Sequence, residues 1–457
     1  MTDIQAWARE QFGQAELGDA RRTRRLVQIA TAVAEQPGGM VTQVMRLPDE
    51  REGAFRFIEN AKVDVHSIAT ASHEATARRL GSKAEITVAI DQASLTITDR
   101  IGKPGFGRIG RSPEMGRGFQ VMTALAVSLD GVTQGILGQQ WWAREEKSPE
   151  YRKDKRPAEQ RESDLWRRTI RQAEQALTVE APNTRAWYQL DRGADSAAVL
   201  TLAVDTNLRL TVRSAYSRTL GDGRHLHASM RRRKVLGSYA LHLPKSHKRS
   251  ARTATIALRA APVTLRINDK SGRMLRVVEL WCVHVRERHP PRRQQGLEWW
   301  LLTTEPTKSF EDAWTVVRNY TARWRVEEFH RAWKSGACNI EDSQLRSADT
   351  FKRWATISAA VAARAERLKF TSRAEPDRPA TDELSRDEID AAILLSPRCG
   401  HARGAELTLN QAVRLIADLG GYTGKSSGGP PGTRVIQRGL KHVLAGARLL
   451  RGLRRSG

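Results

Sequence analysis

The chain has 457 residues, and its 76 Lys and Arg against 51 Asp and Glu give a formal net charge of +25. That length exceeds one ordinary domain and suggests two to four, and the charge favours a polyanionic partner, nucleic acid first. No run of roughly 18 apolar residues occurs, so no membrane partner is expected.

The N-terminal MTDIQAWAREQFGQ lacks the apolar stretch of a secretory signal, so a cytoplasmic location is the default expectation. Residues 1–36 read as helical. Asp19 is a capping candidate, Arg21, Arg22, Arg24 and Arg25 fill the first turns, and Leu26, Ile29 and Val33 form an apolar face. Pro37-Gly38-Gly39 ends this stretch, and a second helical piece follows from Arg51. The pattern then switches to strands. Ile86, Val88 and Ile90 alternate with polar residues and predict a strand ending at Asp91. GFQVMTALAVSL from Gly118 and TQGILGQQWW from Thr133 predict two more, followed by a charged helix at about 157–178. TRAWYQLD predicts a strand ending at Asp191, with helical SAAVLTLAV and strand LRLTVRS behind it. This is an α/β order compatible with an RNase H-like sheet.

Residues 220–300 are basic and strand-rich, and read as a β insertion in the α/β core. A strong helix is expected from Phe310 to Lys334. Residues 371–386, polar with two prolines, read as a linker, and the tail from about 387 as helical with a loop at 424–433. The expected fold class is therefore α/β, a mixed RNase H-like sheet with a β insertion and helical N- and C-terminal domains. The expected divisions are 1–70 (DNA-end binding), 71–370 (catalytic) and 371–457 (dimerisation).

Three acids stand out. Asp91 and Asp191 follow apolar strands, where an unpaired carboxylate is costly, and two such strand ends converging suit a hard cation with oxygen ligands, Mg²⁺ or Mn²⁺. The third lies on the helix YTARWRVEEFHRAWK. At about 100° per residue, Tyr320, Arg323, Glu327, Arg331 and Lys334 share one narrow stripe. A surface that meets a carboxylate-bound metal and several phosphates needs that mixture. Other features carry less. Gly105 to Gly110 satisfies G-x-G-x-x-G, but no helix with a downstream ribose-binding acid follows, so no nucleotide cofactor is expected. His225, His227, His242 and His247 cluster without acidic or Cys partners, and the scattered Cys282, Cys338 and Cys399 support neither a zinc site nor disulfides.

The spacing Y-x-x-R-x-x-x-E-x-x-x-x-x-x-K, filled by Tyr320, Arg323, Glu327 and Lys334, resembles the YREK signature of the DDE transposases of bacterial insertion sequences, the family of the transposase of transposon five. LGDARRTRRLV at 17–27, AIDQASL at 89–95, DRGAD at 191–195, TVRS at 211–214 and EWWLLTTEP at 298–306 extend the resemblance in order along most of the chain, patchily after 371. The resemblance implies a cut-and-paste transposase in which Asp91, Asp191 and Glu327 bind two Mg²⁺ ions, Mn²⁺ substituting, about 4 Å apart. It implies that Tyr320, Arg323 and Lys334, with Arg331 on the same stripe and Arg213, hold phosphates of double-stranded DNA. Trp299 would stack with a flipped base, and Arg21, Arg22, Arg24 and Arg25 would bind the transposon end. Two subunits would pair two ends, cut them through a DNA hairpin and join their 3′ ends to target DNA. The chain departs from the pattern at Gly193, where the family has an acid. The competing expectation is a catalytically impaired DNA-binding copy acting as a regulator.

Overall fold

A computed structural model describes residues 4–97, 105–109, 116–144, 162, 164–243, 250–268, 274–292, 294–336, 338–424 and 429–456. The N-terminal helices are α1 (Ile4–Phe12), α2 (Ala20–Glu35), α3 (Val41–Val44), α4 (Pro48–Glu59) and α5 (Val65–Leu80). Asp19 caps α2 as its sequence predicts, accepting the Arg21 backbone N–H at 2.8 Å.

The sheet strands are β1 (Glu85–Ile97), β2 (Gly107–Arg108), β3 (Arg117–Val127), β4 (Thr133–Trp142), β5 (Arg185–Leu190), β6 (Arg209–Arg213), β7 (Gly237–Leu243), β8 (Arg252–Asn268), β9 (Met274–Glu287) and β10 (Glu298–Thr303). They form one ten-stranded sheet in the order β2-β3-β1-β5-β6-β10-β9-β8-β7, with β4 also on β3. β1, β5 and β6 run parallel and the other pairings are antiparallel. The strand-rich 220–300 segment thus joins the sheet, continuing it past β10. Helices α6 (Asp164–Glu180), α7 (Ala197–Asp205) and α8 (Leu226–Arg231) are interleaved with the strands; α9 (Phe310–Ala322), α10 (Trp324–Lys334), α11 (Ala348–Ala374), α12 (Arg386–Leu395), α13 (Leu409–Leu419) and α14 (Thr433–Ser456) follow them.

Alternation along β1 sorts its side chains between two cores. Ile86, Val88 and Ile90 pack with α6 and α7, whereas Ala89, Ala93 and Leu95 face a core shared by α1, α2, α10, α11 and the C-terminal helices. Helices from both ends of the chain therefore bury one continuous core against one sheet face. The sequence-drawn boundaries at 70/71 and 370/371 fall inside α5 and α11.

Several local expectations need correction. β1 does not end at Asp91 but runs on to Ile97, because antiparallel pairing with β3 continues to Ile97↔Arg117. Polar cross-strand bonds hold this second half: Gln92 Nε2 and Ser94 Oγ both donate to Gln120 Oε1, at 2.8 and 2.9 Å. Residues 371–386 are not a linker. α11 runs to Ala374, and the following turn buries Ala380 and Leu384 while Pro379 bridges to Thr408. The Phe310–Lys334 helix is divided at Arg323, where Arg323 N–H donates to Tyr320 O and Val326 N–H to Arg323 O, each at 3.1 Å, tightening one turn. The start of the helix expected at 157, Gly110 of the glycine-rich loop, His247 and part of the 424–433 loop lie outside the described residues. Cys282, Cys338 and Cys399 are unbridged. Among the described residues no helix is long and apolar enough to cross a membrane.

Burial also sets a pH dependence. His73 of α5 and His330 of α10 are buried, and burial pushes each down to about 3. Both stay neutral in the folded chain while the unfolded chain protonates them below about 6.5. Their contribution is complete above that pH and is lost as pH falls, at about 1.4 kcal/mol per pH unit for each. Urea midpoints at pH 7 and pH 5 should differ accordingly, and substituting both histidines by Gln should shrink the difference; an undiminished difference would refute the assignment.

Candidate active site and nucleic-acid interface

Parallel pairing of β1 with β5 runs from Glu85↔Arg185 to Ile90↔Leu190. The residue after that last pair is an aspartate in each case, so Asp91, within β1, and Asp191, just past the end of β5, lie at the same level. The carboxyl ends of parallel strands are where open α/β sheets place their ligand sites. Asp91 alternates onto the same face as Thr87, whose hydroxyl donates to Asn319 Oδ1 of α9 at 2.9 Å. That contact brings the α9–α10 junction over Asp91.

Arg323, at the junction, donates from Nη1 to Asp91 Oδ2 at 2.6 Å and from Nη2 to Glu327 Oε1 at 2.8 Å. One guanidinium therefore ties together the first and third members of the expected triad. Asp191 caps a 3₁₀ turn at Arg192–Ala194, its Oδ1 accepting the Gly193 N–H at 2.7 Å. Gly193 leaves room for that cap: a Cβ there would stand 3.0 Å from Asp191 Oδ1 and 3.2 Å from the Trp166 ring.

Asp91 responds to the other two acids. Burial pushes the Asp91 carboxyl up to about 6; Arg323 pulls it down, and the charges of Asp191 and Glu327 push it up. Burial opposes the Arg323 charge, but Asp91, Tyr320 and Glu327 outweigh it and hold the guanidinium above its ordinary value. With the side chains as they stand, no three His, Cys, Asp or Glu among the described residues are gathered tightly enough to hold a metal ion. Arg323 is the countercharge that Asp91 and Glu327 share.

Around this centre stand other expected residues. Tyr320 is buried and meets Trp299 edge-on at 5.7 Å between ring centroids. Arg213, at the end of β6, lies 5.5 Å over the Trp299 ring, and burial with the charges of Arg192 and Arg323 pushes its pKa down. Trp300 points to the opposite face, stacked on His227 at 3.7 Å. The stripe on α10 is less uniform than its spacing implies. Arg331 is exposed with no side-chain partner among the described residues, while Lys334 pairs with Glu341 at 3.5 Å. Glu341 also accepts the Thr96 N–H of β1 at 2.7 Å.

The four N-terminal arginines are not part of this centre; they start α2, which packs against α1, α4, α11 and α14. Arg21 is taken up by its cap Asp19 at 3.0 Å, and Arg22 Nη1 donates to Leu17 O at 2.7 Å. Arg24 and Arg25 are exposed.

Asp195 escaped the sequence reading as a site residue. Fully buried, it accepts the Ala215 N–H at 2.7 Å and Arg218 Nε and Nη2 at 2.8 and 2.6 Å. It thereby fastens the turn bearing Asp191 to the segment after β6. Its signal was the second acid of DRGAD.

Residues 4–63, spanning α1 to α4, match the family model described as transposase DNA-binding. Among solved structures, the piggyBac transposase in a synaptic complex with hairpin DNA is similar at 10% identity and a TM-score of 0.39, over 82% of this chain and 76% of that chain. A likeness of that size assigns no residue.

Proposed function

We propose that this chain is a cut-and-paste DNA transposase with an RNase H-like core, in which Asp91, Asp191 and Glu327 carry out phosphoryl transfer. The observation that carries the reading is the register of β1 and β5, which sets Asp91 beside Asp191, together with the guanidinium that joins Asp91 to Glu327. The match of residues 4–63 to a transposase DNA-binding family supports the DNA half of the reading.

Asp91, largely buried and pushed up by the charges of Asp191 and Glu327, makes with them an all-oxygen donor set suited to hard divalent cations. Two Mg²⁺ ions, or Mn²⁺, would activate the attacking oxygen and stabilise the leaving 3′ oxygen of an in-line displacement. The chain's own part is to orient and to bind. Arg323, which bridges Asp91 and Glu327, is the residue whose donors would meet DNA phosphate. Arg213 and Tyr320 pack on Trp299, whose ring would stack on an unpaired base. Arg331 and Lys334 extend the phosphate contact along α10. Arg21, Arg22, Arg24 and Arg25 read the transposon end, and a homodimer in the cytoplasm pairs two ends and joins their 3′ termini to target DNA.

A supercoiled plasmid carrying the DNA that flanks the gene, incubated with Mg²⁺ or Mn²⁺, tests this. Metal-dependent nicking and linearisation are expected. Binding without cleavage would instead support the impaired regulatory copy.

A further inference from the structure

The far end of the sheet, over β7, β8 and β9, leaves one face in solvent. On β8, Ala254, Ile256 and Leu258 point into the core beneath α9, so alternation turns Thr253, Thr255, Ala257 and Arg259 to the other face. β7 adds Ser238, Ala240 and His242, paired with Ala257, Thr255 and Thr253. β9 adds His284 and Arg286, paired with Arg259 and Ala257, and Arg288 follows, its N–H extending the ladder to Thr255 O at 2.8 Å. α8 closes one end of this face, where His227 stacks on Trp300. Past that end Ala240, Thr253, Thr255, Arg286 and Arg288 are exposed. Trp299 and Tyr320 lie on the opposite face, in the core with α9.

The charge on this face is one-sided. Arg286 and Arg288 stand two positions apart on one strand, about 7 Å, and neither has a side-chain partner among the described residues. Arg259 stands one strand over, its Nε donating to Arg233 O at 3.0 Å; burial, then the charges of Arg286 and Arg288, push its pKa down. The three guanidiniums therefore share one field. Glu298, the carboxylate that this face carries among the described residues, is committed to Arg231 at 3.0 Å and to His284 at 2.8 Å. Like charges this close destabilise the bare surface, and a polyanion relieves them. Between them Ala240, Thr253 and Thr255 keep the surface flat and supply hydroxyls that donate to phosphate. A protein partner would need aromatic or apolar anchors at the centre, and Trp300, the aromatic of this face, is already stacked under His227 at 3.7 Å.

We propose that this bare sheet face binds the sugar–phosphate backbone of a second DNA duplex, apart from the one at the acidic centre, with Arg286 and Arg288 as its principal contacts. The choice of DNA as the polyanion rests on the transposase reading; the face itself rests on the register of β7, β8 and β9. Arginine and hydroxyl contacts to backbone carry no sequence information, so the duplex is taken without regard to sequence.

The test puts a benzophenone amino acid in place of the exposed Ala240 of the full chain and adds a labelled random-sequence duplex without divalent metal. A crosslink between this face and the duplex is expected, and the duplex concentration for half-maximal yield gives the affinity of the face. Arg286→Gln with Arg288→Gln should weaken it roughly tenfold or more and lower the slope of log affinity against log salt by about 2. Both arginines are exposed and unpaired, so the fold should stand without them. Glu327→Gln, and a charge-matched pair on exposed positions of α6 and α13, Arg171→Gln with Arg414→Gln, should leave the affinity within about twofold. No crosslink, or an equal loss in the charge-matched pair, overturns the face. Displacement by polyglutamate more readily than by unlabelled duplex of equal charge assigns an acidic protein and also overturns it. Crosslinking and cleavage report separately. A crosslink from a chain that does not cleave when given Mg²⁺ keeps the face and counts against the catalytic reading; cleavage without a crosslink does the reverse.

Discussion

Glu327→Gln should reduce metal-dependent DNA cleavage by at least on the order of 10³-fold, the scale of removing a group that stabilises transition-state charge, while DNA affinity stays within about twofold. The fold should survive the change. The Gln carbonyl still accepts from Arg323 Nη2, and the Arg323–Glu327 pair, with the carboxylate side chain 30% exposed, is worth no more than about 1 kcal/mol. Loss of activity without loss of stability or binding would therefore report on chemistry. Gel quantitation of nicked product, alongside fluorescence anisotropy on labelled DNA, checks it. Retained cleavage would remove Glu327 from the triad.

Asp195→Ala should be the most destabilising single change near the site, by about 3–5 kcal/mol, because it strands a buried partner. Arg218 would lose both bonds to the carboxylate, keeping only its 2.8 Å contact to Asp195 O, and the Ala215 N–H would lose its acceptor. The turn carrying Asp191 would be loosened with it, so cleavage should fall as well. A double variant, Asp195→Leu with Arg218→Met, removes both charges and should cost less than the sum of its parts. Urea unfolding of the four proteins measures this; equal midpoints for Asp195→Ala and the parent would contradict the anchoring role.

Much of this was legible in local pattern. Alternation gave β1, β3 and β5, capping chemistry gave α2, and helical spacing placed Arg323 and Glu327 within one turn of each other. What was hidden depended on partners distant in sequence. The second half of β1 keeps the alternation, with Ala93, Leu95 and Ile97 buried, but its reach past Asp91 is set by the ladder to β3, with Gln120 bonded to Gln92 and Ser94. Residues 371–386 look like a linker because Pro and charge dominate, yet Ala380 and Leu384 find a core supplied by helices further on. The stripe on the YTARWRVEEFHRAWK helix suggested that Arg323 faces phosphate. It could not reveal that Asp91, 232 residues earlier, takes one arm of its guanidinium. Asp195 was visible only as part of a motif, since its worth rests on Arg218 and Ala215.

The central claim is that these three acids cut DNA at the ends of a mobile element. Sequencing the termini that the purified chain releases from a plasmid bearing the DNA around its gene, in Mg²⁺, measures this directly. The account predicts breaks at the boundaries of flanking inverted repeats, absent with Asp91→Asn, Asp191→Asn or Glu327→Gln. Breaks scattered without regard to those boundaries, or persisting in all three variants, would contradict it.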